Sequence, residues 1–139
     1  MEATLIAPST LTTSTKRLWI GRVLSGLAVV FLTFDGAMKL VQHPEVIKGT
    51  VKLGFPVASI VPIGLVLLAC VALYLIPRTA IIGAVLLTGY LGGAVATHVR
   101  IADPVLSHVL FPTYVAALAW SGLYLRDSRV GRLLSAVRA

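Results

Sequence analysis

The chain has 139 residues, 58% of them hydrophobic, and a mean hydropathy of +0.95. Soluble globular chains hold about 45–50% apolar residues, so this composition excludes a soluble domain and puts most of a single-domain chain in lipid. The net charge of +7 does not imply nucleic acid, because the basic residues stand at the ends of apolar runs and form no stripe; the single cysteine, Cys70, argues against thiol redox chemistry through a cysteine pair of its own.

In chain order, residues 1–15 are rich in Ser and Thr and read as a flexible tail. The first apolar run, 18–40, is too long for the core of a signal peptide and is followed by no small-residue cleavage site, so it is read as a retained span. In the linker 41–56, Val46, Ile47, Thr50 and Val51 follow helical spacing, with Pro44 placed to start a short helix and Gly54 to end it. This predicts an amphipathic helix on the outer surface, folded over the mouth of the bundle. Two further spans follow at 57–76 and 79–98. The second of these carries Gly89 and Gly93 four residues apart, a smooth flank for packing against another helix. The fourth span is expected at 104–125, with Asp103 as N-cap and Pro104 in the first turn, followed by a basic tail over 128–139.

The fold predicted is therefore all-α, an integral membrane four-helix bundle with short loops between antiparallel neighbours. Four spans put both termini on one side. Lys16, Arg17, Arg22, Arg78, Arg126, Arg129, Arg132 and Arg138 share that side, against Lys39, Lys48, Lys52 and Arg100 on the other. The positive-inside rule then makes both termini cytoplasmic, and Trp19, Tyr74, Trp120 and Tyr124 fall toward the same boundary as headgroup-zone aromatics.

Ionisable residues within spans cost about 2.5–3.5 kcal/mol at the bilayer centre, so they face the bundle interior and take partners. Asp35 is the clearest case, with Lys39 four residues on along the same face and placed to reach up to the interface. Thr97, His98 and Arg100 arrive at the same depth, joined by His108 and, from the linker, by His43 and Glu45. These residues form a polar cup at the outer end, with Tyr90 bounding it from below. Histidines exchange protons near neutral pH, and carboxylates held away from water can do so in the same range, so such a cup suits proton exchange or the binding of a polar head group. The same residues also suit an interhelical clasp that sets helix register. No metal is expected: the three histidines lack ligand pairs at i, i+3 or i, i+4.

The segment LYLIPRTAIIGAVLLTGYLGGAVATHVRIADP (Leu73–Pro104), followed by HVLFPTYVAALAWSGLYLRD (His108–Asp127), resembles the DoxX-like group of small four-helix bacterial membrane proteins. FDGAMKL (Phe34–Leu40) and LGFP (Leu53–Pro56) are similar to it as well. The resemblance implies a four-helix bundle in a bacterial inner membrane and a link to redox complexes at the quinone pool.

Three readings follow. In the first, the cup binds a lipophilic molecule such as a quinone; Asp35 and His98 are the catalytic proton-exchanging pair, and Lys39, Tyr90, Thr97, Arg100, His108 and His43 are binding residues. In the second, the chain is a non-catalytic assembly subunit whose Gly89 and Gly93 face docks a membrane partner protein or another copy. In the third, Asp35 and His98 serve as acid and base in an isomerase for a lipophilic substrate.

Overall fold

A computed structural model describes residues 14–138; of the tail expected over 1–15, residues 1–13 lie outside the described residues, and Thr15 already belongs to a helix. Six α-helices follow in order: α1 Thr15–Leu40, α2 Pro44–Lys52, α3 Ile60–Leu75, α4 Ala80–Arg100, α5 Phe111–Arg126 and α6 Ser128–Val137. A 3₁₀ turn at Val57–Ser59 leads into α3, and a π-helical turn at Val105–Val109 leads into α5. With those lead-in turns, α1, α3, α4 and α5 are long and apolar enough to cross a membrane. They match the four expected spans to within a few residues.

The four long helices close into a ring in which α1 packs on α3 and α5, and α4 completes the circle between them. The buried stripe of α1 is Gly21, Ser25, Ala28, Leu32 and Gly36, spaced by three or four residues and mostly small. Such a stripe lets backbones approach closely, which matters because lipid offers no hydrophobic drive between helices and packing must hold them. A Cβ at Gly122 would collide with the Ser25 Oγ and sit 2.9 Å from the Gly21 carbonyl oxygen; one at Gly64 would sit 2.8 Å from the Lys39 Cβ and 3.1 Å from the Gly36 carbonyl oxygen. The α1–α5 and α1–α3 contacts are thus both glycine on glycine. At Gly89 and Gly93, by contrast, a Cβ would meet nothing within 4 Å. No helix among the described residues lies on the flank the sequence marked for packing.

Leu32, Leu67, Leu87 and Leu123 fill the centre of the ring, while Val30, Phe34, Leu65 and Val85 point outward. Tyr74 is fully buried among the core residues and is not one of the headgroup-zone aromatics expected from the sequence. Its hydroxyl donates to the Ala119 carbonyl at 2.7 Å, so its single proton is committed, and the 2.8 Å contact with Ser25 must have the serine as donor. Ser25 Oγ in turn accepts from Arg126 Nε at 3.0 Å, and the same guanidinium donates to the Tyr74 carbonyl at 3.2 Å. This chain satisfies every polar side chain in that part of the core.

Two further expectations are corrected. Asp103 does not cap α5: Pro104 precedes the π-helical turn, and the Asp103 carboxylate is engaged elsewhere. The C-terminal stretch is helical, with Asp127 as the N-cap of α6, accepting from the Arg129 N–H at 2.9 Å.

Candidate functional site

At the end of the bundle where α1 stops and α4 stops, the helices splay around a cavity of about 610 Å³. Its wall is mainly apolar, with Phe31, Leu32, Ile63, Leu91, Phe111 and Val115 contributing from the long helices, and α2 closes one side through Val46 and Thr50. α2 forms here because His43 accepts from the Glu45 N–H, Pro44 sits in the first turn and Gly54, at φ +87°, ends the segment. A helix, α2, occupies the linker and borders the cavity.

Three helices at this end stop with the same device. Gln42, Gly54 and Ala102 each take positive φ, and the N–H of the following residue reaches back five residues to Met38, Thr50 and His98 carbonyls respectively. After α4 this turn reverses the chain at Ala102, φ +55°, and swings Asp103 back toward His98.

The polar groups fall into two sets. In the first, Lys39 Nζ donates to Asp35 Oδ2 at 2.5 Å; Lys39 is the more buried partner, 13% exposed against 35% for Asp35, so it does not reach up to an interface as its sequence position suggested. In the second, Asp103 is shared: one carboxylate oxygen accepts from Lys52 Nζ at 2.9 Å and the other meets His98 Nδ1 at 2.7 Å. The Asp103 side chain is only 8% exposed, and Lys52 first, then His98, hold its carboxyl below the usual carboxylate range. Lys52 thereby ties the end of α2 to the end of α4, and Arg100 adds a second tie by donating to the Leu53 carbonyl.

Of the residues singled out in the sequence, Asp35, Lys39, Tyr90, Gly93, Thr97, His98 and His108 line the cavity. Thr97 spends its hydroxyl proton on the Ala94 carbonyl at 2.8 Å, and the His108 ring lies 6.0 Å from that of His98. Arg100 and His43 do not line it; the first braces Leu53 and the second caps α2. Asp103 and Lys52 line the cavity and were not among the candidates. No local signal marks either: five residues along a helix separate side chains, and only the turn at Ala102 brings Asp103 to His98.

No match was found among curated proteins or solved structures. The model of the DoxX-like family matches residues 23–122, from α1 through the close-packed Gly122 of α5 and including the whole cavity wall. With its four membrane-spanning helices, the chain is a multi-pass membrane protein and belongs to the DoxX-like family.

Proposed function

We propose that the cavity binds a lipophilic molecule with a polar head, a quinone being the best fit, and that Asp35 and His98 exchange protons with it. The carrying observation is the pairing of a mainly apolar cavity of about 610 Å³ with two charged sets on its wall. Small-molecule sites run to about 300–1,000 Å³ and combine apolar walls with a few placed polar groups, so the size and lining suit a ring with an apolar tail. In this reading the protein lies in a bacterial inner membrane with both termini cytoplasmic, and the cavity opens to the outer leaflet.

Each residue's part follows from its partners. His98 has Nδ1 committed to Asp103, which leaves Nε2 as the nitrogen that accepts or releases a proton. Asp35 is held by Lys39, whose ammonium also favours negative charge developing on a bound head group. Tyr90 and Phe111 flank the apolar depth, and α2 excludes water from one side. A bound quinone supplies carbonyl oxygens that take up protons on reduction, the electrons coming from a redox partner protein.

The test is native mass spectrometry with a UV–visible spectrum on protein purified in mild detergent, for wild type, Asp35→Asn and His98→Ala. A stoichiometric lipophilic mass in the wild type, lost in both folded variants, is the expected result. An empty, well-formed protein overturns it, and loss of folding in both variants assigns these residues to a structural clasp.

A second reading is favoured by the uncovered Gly89 and Gly92, next to Gly93 at the edge of the cavity: assembly with another membrane helix on that flank. Gly89→Leu and Gly93→Leu then disperse an oligomer that Asp35→Asn leaves intact.

A further inference from the structure

Helix α6 takes no part in the cavity. Val130, Leu133, Leu134 and Val137 follow the i, i+3, i+4, i+7 spacing of one helical stripe; Arg129 and Arg138 stand at its two edges, and Arg132 and Ser135 lie on the opposite face. The first turn is fixed. Val130 is buried in the core cluster, the Arg129 guanidinium grips Asp127 at 2.6 Å, and it also donates to the Pro77 carbonyl in the α3–α4 turn. Beyond that turn the stripe continues uncovered: Leu133, Leu134 and Val137 are 54%, 53% and 85% exposed. Because Val130 within the stripe faces the bundle, the rest of the stripe faces the same way, past the edge of the ring.

What covers it is indicated by charge and by place. α6 begins two residues after the last residue of α5, so it starts where a membrane span ends. Arg17, Arg22, Arg78 and Arg126 lie at the same end, and Asp127, already held by Arg129, is the one carboxylate there among the described residues. Arg126 turns to neutral groups, Ser25 Oγ and the Tyr74 carbonyl. Among the described residues, a second copy of this chain offers no further anionic group at this end to match these cations, since Asp35, Glu45 and Asp103 are at the opposite end and each is paired. A leaflet bearing anionic headgroups offers both complements at once, acyl chains for the stripe and phosphates for its edges.

We propose that α6 is a membrane-surface helix that docks on anionic lipid, with Leu133, Leu134 and Val137 inserted among acyl chains and Arg138 and Arg78 on headgroup phosphates. Arginines at the edges of an apolar stripe suit this geometry, because their stems lie along the apolar boundary while the guanidinium stays at headgroup level.

The experiment uses the full chain in a Cys70→Ala background, labelled with an environment-sensitive fluorophore at Leu134→Cys or, on the opposite face, at Ser135→Cys. The protein is reconstituted in vesicles of phosphatidylcholine alone or of phosphatidylcholine with phosphatidylglycerol, containing lipids that quench the label within the bilayer. The label at 134 is expected to be quenched in the anionic vesicles, that at 135 to remain in water, and Arg138→Gln to lower the inserted-to-free ratio about fivefold in anionic vesicles only. Arg138 lies outside the first-turn network, so its replacement leaves the anchoring of α6 intact. Equal quenching at 134 in both lipids overturns anionic recognition. Shielding of 134 that fades as protein is diluted into lipid assigns the stripe to a second copy, and a water-exposed label at 134 in both lipids overturns docking altogether.

Discussion

At the cavity end of the bundle Asp35, Glu45 and Asp103 each hold a lysine, Lys39, Lys48 and Lys52, within 2.9 Å, whereas at the opposite end Arg17, Arg22, Arg78, Arg126 and Arg129 face one carboxylate among the described residues, Asp127, which pairs with Arg129 alone. The difference teaches how one small bundle treats charge in two ways. Pairing lets Lys39 and Asp103 sit largely out of solvent beside an apolar cavity, because each charge has its complement and its hydrogen bonds. The other end satisfies its cations with neutral acceptors and rings: Arg126 lies over the Tyr74 ring at 5.0 Å and Arg17 over Tyr124 at 5.3 Å. It stays rich in positive charge as a result. One end pairs its charges, and the other keeps an excess of positive charge.

The sharpest way to break this comparison is steric. Gly122→Leu places atoms against the Ser25 N and the Gly21 carbonyl, where a Cβ alone would come within 2.9 Å of both. The cost exceeds the ~1–3 kcal/mol usual for overpacking, since backbone cannot move aside, and the expected outcome is loss of the folded monomer in detergent, read by circular dichroism and gel filtration. Gly89→Leu, on the open flank, leaves the monomer folded in the same assay.

Next in size is the cavity end. Asp103→Asn removes the carboxylate that joins Lys52 to His98, so α2 detaches from the end of α4; spin labels on the two helices report a longer and broader distance, and retention of a co-purifying lipophilic molecule falls severalfold. An unchanged distance means that the Arg100 tie to Leu53 suffices. The same contact carries a pH signature. A carboxyl held below its ordinary value stabilises in full above the unfolded aspartate range, about pH 4, and loses that contribution as pH falls through its lower folded value. The label distance is therefore expected to stay constant from neutral pH down to about pH 4 and to lengthen only below it.

A smaller effect tests the opposite end. Ser25→Ala removes the proton that Tyr74 accepts and the acceptor that Arg126 Nε uses, at a cost of about 0.6–1.7 kcal/mol per lost membrane hydrogen bond, read as a lower midpoint of unfolding in mixed micelles. Smallest is Ala102→Gly. A non-glycine residue at φ +55° costs about 1–2 kcal/mol, partly offset by the greater freedom of glycine when unfolded, so the variant is expected to match or slightly exceed wild type in the same assay.

Much of the fold was legible before the structure. The spans announce themselves because a backbone in hydrocarbon must be helical and its side chains apolar, whatever its neighbours. α2 was legible for local reasons too, through Pro44, its spaced apolar residues and Gly54. The Asp35–Lys39 pair needs only helical periodicity. His98–Asp103 escaped because a five-residue step along a helix separates side chains, and only the positive-φ turn at Ala102 reverses that. α6 read as a basic tail because its arginines, serines and glycine offset the hydropathy of its four-residue apolar stripe along the segment as a whole.

Partition between water and lipid is a property of each segment taken alone, and for that reason the sequence by itself determined the four spans, the linker helix and the crowding of ionisable groups at one end. Which groups meet depends on how each helix is rotated and where each turn redirects the chain, and that is settled by backbone contacts such as Gly21 on Gly122 and Gly36 on Gly64. Only the tertiary structure could therefore decide that Lys52 and Asp103, 51 residues apart, close the cavity, that Tyr74 lies in the core, and that Gly89 is left uncovered while Gly93 lines the cavity.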